Sequence, residues 1–218
     1  MVALLVVDVQ NDFVEGGALT VKGGRAIIPR INRLIERLGG DAFIVYTMDW
    51  HPPHHSQFSP HGGPWPVHCV QGTTGAELVP ELHRPGETQK KHEVLRKGQH
   101  PQRDGYSAFE ATNAAGHSLE QILKKKGIQT IFICGLTTEY CVQATALDAK
   151  KAGMHVHVIR NAVAGIEPQT TERAIAEMQA AGVEFHQTAD GIAELLPKKP
   201  AKQVPGKRKT VRKGKVSR

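Results

Sequence analysis

Residues 130–153 read T-I-F-I-C-G-L-T-T-E-Y-C-V-Q-A-T-A-L-D-A-K-K-A-G. The run over 130–135 is apolar without alternation, which marks a strand buried on both faces. The stretch 139–152 reads as a helix. A buried strand that passes directly into a helix is the unit from which parallel α/β sheets are built. Cys141 falls at the helix N-terminus, where unpaired backbone N–H groups favour negative charge. A thiol there is expected to have a lowered pKa, and thiolate is the reactive form. Cys141 is therefore a candidate nucleophile, whereas Cys134, inside the strand, reads as an inert core thiol.

The same unit recurs on either side of this stretch. Strands are expected at 2–7, 42–48, 129–134 and 155–159, with a weaker one at 183–186, mostly as continuous apolar runs. Helices are expected at 26–38, 119–126 and 171–181. The first carries Ile27, Ile31, Leu34, Ile35 and Leu38 on one stripe. The second opens with Ser118 and Gln121 in capping-box spacing and stops at Gly127. Alternating strands and helices predict an α/β fold, a three-layer α/β/α sandwich around a mostly parallel sheet of about six strands. Residues 51–117 are irregular and rich in Pro, Gly and His. Loops of that length in a compact domain are usually functional and gather at the carboxyl ends of the strands.

The 218 residues suffice for one large domain. No apolar run approaches the roughly 18 residues of a membrane span, so no membrane partner is expected. The N-terminus reads as a first strand and not as a signal peptide. Three cysteines without a framework spacing favour a reducing compartment. The net charge of +7 is unevenly spread: residues 198–218 hold ten Lys or Arg and no acid, and removing them leaves −3 on residues 1–197. Residues 1–197 are thus expected to form the domain and 198–218 a basic, disordered tail. The tail serves as a solubilising extension. Its sharper reading is a nuclear address or a contact with nucleic acid, which as a different class of function would make the chain a nucleic-acid binder.

Several side chains can carry chemistry. Asp8 follows five apolar residues at the end of the first strand. Asp49 and His51 stand two apart after the second, facing one side in an extended chain, as two ligands of one metal would. Five of the twelve histidines (His51, His54, His55, His61 and His68) lie between positions 51 and 68. Imidazole and carboxylate donors suit Zn²⁺, and also Fe²⁺ or Mn²⁺. The spacing alone does not choose among the five. Lys97 ends a short edge-like strand, where an ammonium beside a cysteine and a carboxylate would favour thiolate.

Five ordered motifs then identify a family: L-L-V-V-D-V-Q-N-D-F with G-G-A-L close behind, D-W-H-P-P-H-H, H-C-V-Q-G-T-T-G-A-E-L, K-G with D-G-Y-S-A-F, and G-L-T-T-E-Y-C-V-Q-A-T-A-L-D-A. Over residues 2 to about 195 the chain resembles the nicotinamidases of the isochorismatase-like cysteine hydrolase superfamily. The resemblance implies a Cys141–Asp8–Lys97 triad and one divalent metal, Zn²⁺ before Fe²⁺ or Mn²⁺, on Asp49, His51 and His68. That leaves His54, His55 and His61 as loop residues. It implies an oxyanion hole from the backbone N–H groups of Thr137 and Cys141, a cis peptide at Leu136–Thr137, and ring contacts from Phe13, Trp65 and Tyr106.

The implied activity is deamidation of nicotinamide to nicotinate and ammonia through a thioester, in NAD salvage. Pyrazinamide is a second substrate on this reading, and the expected setting is a cytoplasmic homo-oligomer, or a nuclear one if the tail is an address. The nearest alternative is a sister amidohydrolase acting on carbamoyl or ureido groups. The family's usual Ala-Thr-Asp-Tyr-Cys is here Thr137-Thr138-Glu139-Tyr140-Cys141. His54 and Gln57 replace the common Asn or Asp and Ser of the metal loop.

Overall fold

All six residues of strand β1 (Val2–Val7) are buried. The structure, a computed structural model, describes residues 1–38, 42–84 and 92–190. The domain limit at 197 and the basic tail lie outside the described residues. Val2, Leu4 and Val6 of β1 point to one face, where Ile31 and Leu34 of helix α1 (Gly24–Leu38) pack. Ala3, Leu5 and Val7 point to the other, against Leu119, Ala146 and Met178. The period-two geometry of a strand thus turns one apolar run into two core layers, and that explains the absence of alternation in the sequence.

Strands β2 (Ala42–Asp49), β3 (His92–Lys97), β4 (Thr130–Leu136), β5 (His155–Ala164) and β6 (Glu184–His186) complete a six-stranded sheet. Its order is β3-β2-β1-β4-β5-β6, and every pair is parallel. Helices α2 (Leu119–Lys125), α3 (Gln143–Lys151) and α4 (Pro168–Ala180) complete the three-layer α/β/α sandwich. Ser118 caps α2 as its spacing predicts: its Oγ accepts from Gln121 N at 3.3 Å and its N–H donates to Gln121 Oε1 at 3.0 Å.

Three boundaries differ from the sequence reading by three residues or more. β5 runs on to Ala164, because a register shift against β4 lets the polar Arg160 and Asn161 stay within a strand. α4 begins three residues early, with Pro168 at a first-turn position that needs no N–H. α3 begins only at Gln143; Thr138–Val142 forms a π-helical turn ahead of it. Cys141 therefore sits in that turn and not in the first turn of an α-helix.

The strand order reverses between β1 and β4. Ligand sites in open α/β sheets form at such a switch point, outside the carboxyl ends of the strands. Gly135 makes the junction there: its φ is +114°, and a Cβ would stand 2.0 Å from the Val7 carbonyl oxygen. Only glycine lets β4 lie that close to the end of β1.

Candidate active site

Four neighbouring strands deliver one charged or nucleophilic group each. Asp8 follows β1 with φ +47°, a conformation that Asp tolerates. Asp49 ends β2 and Lys97 ends β3, and the two are register partners. Cys141 follows β4. All four are buried.

Lys97 stands at the centre. Its Nζ lies 2.9 Å from Asp8 Oδ2, 2.5 Å from Asp49 Oδ1 and 3.3 Å from Cys141 Sγ, and it donates to the Gly105 carbonyl at 3.2 Å. The other Asp8 oxygen accepts from Thr47 Oγ1 at 2.7 Å. The Asp8 and Asp49 carboxylates and the Cys141 sulfur lie within 4.8 Å of one another. One ammonium thus bridges two buried carboxylates, whose combined charge it only half offsets, and touches the sulfur.

Burial pushes the Asp8 carboxyl above its ordinary pKa against the pull of Lys97, and so makes it a stronger base. Burial acts on Asp49 in the same sense, but the Lys97 ammonium opposes it at close range and that carboxyl is held low. Burial also works against the Lys97 charge, yet Asp49 and Asp8 prevail and keep it protonated. The Cys141 thiol is pushed well up, first by burial and then by Asp8 and Asp49, with Lys97 opposing. This corrects the sequence expectation of a lowered thiol pKa. A helix end acts by a few tenths of a charge, whereas two carboxylates and full burial act here at close range. The resting residue is a thiol that needs a base.

Beside this group, Asp49, His51 and His68 bring one ligand atom each to within 4.8 Å of the others. His51 Nδ1 lies 3.0 Å from the Gly98 carbonyl and His68 Nδ1 2.8 Å from the Pro66 carbonyl. A carbonyl only accepts, so both Nδ1 atoms carry the proton and both Nε2 atoms offer a lone pair. His51 Nε2 is buried, has no hydrogen-bond partner, and stands 3.6 Å from Asp49 Oδ2, too far for a hydrogen bond. An orphaned nitrogen facing a carboxylate and a second imidazole fits a divalent cation.

The remaining histidines of the loop are used otherwise. His55 Nδ1 accepts from Gln57 N at 3.2 Å and its Nε2 donates to the Arg103 carbonyl at 3.0 Å, so both nitrogens are spent. His54 and His61 are exposed and pair with each other, ring centroids 5.3 Å apart.

Phe13, Trp65 and Tyr106 line the cavity over Cys141, together with Thr137, Tyr140, Leu19 and Ile166. Trp65 Nε1 donates to Tyr106 Oη at 3.1 Å, and Tyr140 meets the Trp65 ring edge-on at 4.9 Å. Phe13 and His68 stand 5.5 Å apart. The Leu136–Thr137 peptide is cis. The Thr137 carbonyl accepts from the N–H groups of Tyr140 and Val142 at 3.2 and 3.1 Å, which fixes the turn that carries Cys141.

Sequence reasoning missed several supports. Gln10, fully buried, accepts from Asp49 N and donates to Asp49 O, both at 2.8 Å, and so clamps the backbone of a candidate ligand. Asp12 accepts from Cys69 N at 2.7 Å and holds the loop next to His68. Glu139 Oε1 accepts from Ile166 N at 2.7 Å and Glu167 N at 3.1 Å, tying the nucleophile turn to the start of α4. Gly98 has φ +64°, and a Cβ there would meet His51 Cε1 at 2.4 Å. Gln10, Asp12 and Gly98 fall inside the quoted motifs, which was the one signal available for them.

The model of the isochorismatase domain matches residues 2–190. A nicotinamidase of Acinetobacter baylyi is 43% identical over 202 residues, covering 84% of this chain and 90% of that protein. The crystal structure of a pyrazinamidase of Pyrococcus horikoshii in complex with zinc is 46% identical, with a TM-score of 0.77, covering 85% of this chain and 98% of that one. PnC1 of L. infantum, solved in complex with nicotinate, is 39% identical, with a TM-score of 0.74, covering 85% and 91%.

Proposed function

The chain belongs to the isochorismatase family, and from that membership and the geometry of its site we propose that it hydrolyses nicotinamide to nicotinate and ammonia. The observation that carries the reading is the position of Lys97 Nζ, within 3.3 Å of Cys141 Sγ, Asp8 and Asp49 together. It joins a nucleophile and its base to a candidate metal ligand. A carbamoyl or ureido hydrolase would not call on an Asp49–His51–His68 set.

Asp49, His51 and His68 would hold one divalent ion, Zn²⁺ in this proposal; the Pyrococcus horikoshii pyrazinamidase was solved in complex with zinc. When bound, it offers a Lewis-acidic point for the ring nitrogen of the substrate. Phe13, Trp65 and Tyr106, which line the cavity, confine the ring so that the carboxamide carbon lies against Cys141 Sγ. Asp8 takes the thiol proton while Lys97 offsets the charge that develops on sulfur. The C–S bond forms, and the N–H groups of Thr137 and Cys141 receive the oxyanion, where one donor is worth about 3–4 kcal/mol. Asp8 returns its proton to the amide nitrogen, the C–N bond breaks and ammonia leaves. Water then attacks the thioester, giving a proton to Asp8. The C–S bond breaks and Cys141 is reprotonated.

Ammonia release from nicotinamide, pyrazinamide and a ureido compound, with the protein zinc-loaded and then chelator-stripped, tests this reading. Nicotinamide is expected to be turned over, pyrazinamide also, and the ureido compound not. Turnover of the ureido compound in preference to nicotinamide would replace the proposal with the sister activity.

A further inference from the structure

A second group of ligating side chains lies away from the active site, across strand β5 and the edge strand β6. In the parallel register His157 faces Glu184 and Ile159 faces His186. Alternation along each strand therefore puts His157, Glu184 and His186 on one face. Glu184 and His186 repeat the carboxylate-x-His spacing of Asp49 and His51.

His157 Nδ1 and His186 Nε2 are hydrogen-bonded at 3.0 Å, one ring donating and the other accepting, and His157 Nδ1 lies 3.6 Å from Glu184 Oε2. One donor atom from each residue lies within 4.8 Å of the others, and an ion would take the place of the shared proton. Two donors on a tetrahedral zinc, each roughly 2.0 Å from it, stand about 3.3 Å apart. The two observed separations bracket that value. The His157 ring is buried and stacked on Phe132, centroids 5.1 Å apart and planes at 26°. One donor is thus held by the core. Glu184 is exposed and His186 half-buried, so both can adjust toward an ion.

We propose that His157 Nδ1, His186 Nε2 and Glu184 Oε2 form a second divalent transition-metal site that staples β6 to β5. Two imidazoles and one carboxylate select Zn²⁺, Ni²⁺ or Cu²⁺ over Mg²⁺ and Ca²⁺, which prefer all-oxygen shells. The site is independent of the proposed hydrolase activity.

The test uses the full-length protein, stripped with a chelator and dialysed against low-micromolar zinc. Bound zinc is counted by elemental analysis in the wild type, His186→Gln and Glu184→Gln. The wild type is expected to retain one equivalent more than either variant. Zinc should raise its thermal midpoint more than theirs, while circular dichroism and nicotinamide turnover of all three agree. Equal zinc equivalents in the wild type and both correctly folded variants would overturn the site. The readout is a difference in equivalents, so it stands whether or not nicotinamide is the substrate.

Discussion

Replacing Lys97 with methionine keeps an unbranched side chain, one atom shorter, and removes its charge. Asp8 must be ionised to accept the thiol proton, so its titration sets the acidic limb of the rate profile. Burial already raises that carboxyl, and Lys97 is the largest influence holding it down. Losing an opposite charge at 2.9 Å should raise it further. Such a partner typically shifts a carboxyl by about 1–3 units, or roughly 1.4–4 kcal/mol. The acidic limb of kcat/KM should therefore move to higher pH by about 1–3 units, a loss of about 10- to 1,000-fold at a fixed pH below the limb.

The folded state also loses. Two buried carboxylates remain without their cation, and breaking such a pair costs about 3–5 kcal/mol. Native stability is about 5–15 kcal/mol, so assays belong at low temperature, with the fold checked by circular dichroism. The assay is ammonia release across pH 5–10 at saturating zinc. An acidic limb at the wild-type position in a folded Lys97→Met variant would refute the coupling of Lys97 to Asp8.

Three further outcomes are expected. Gln10→Ala removes both hydrogen bonds to the Asp49 backbone; zinc affinity by titration should fall about 10- to 100-fold, with much of kcat recovered at saturating zinc. Gly98→Ala forces a Cβ against the His51 ring at a φ of +64°, and should likewise weaken zinc binding while leaving Cys141 alkylation by iodoacetamide unchanged. In the substrate-free wild type that alkylation should keep rising with pH through the alkaline range, because the thiol pKa is raised. A plateau below pH 7 would restore a resting thiolate.

The strands were legible because burial on both faces leaves a continuous apolar run, as in 2–7 and 130–135. Strand ends in a parallel sheet share one edge, which is why Asp8, Asp49 and Lys97 lie beside Cys141; from sequence their association rested on the family resemblance. The choice of His68 over His54, His55 and His61 was not readable from spacing. It depends on the bridge of His51 to Val70 and on the Gly98 and Arg103 carbonyls, remote in sequence, that engage His51 and His55. The Gln10 clamp spans 39 residues, and Tyr140 and Ile166 join the pocket only through the turn after β4 and the loop before α4. The sign of the Cys141 shift is a property of burial and of charges from other strands. No local pattern carries it. The start of α3 was misread because a π-helical turn and an α-helix share the same composition over residues 138–143.

Cleavage of the amide by Cys141 through a thioester is the step on which the proposed activity stands. Acid-quenched protein, sampled during nicotinamide turnover and mapped by peptide mass spectrometry, tests it most directly. A nicotinoyl adduct is expected on Cys141 alone, with no adduct and no ammonia release in Cys141→Ala. Ammonia release at the wild-type rate by Cys141→Ala would contradict it.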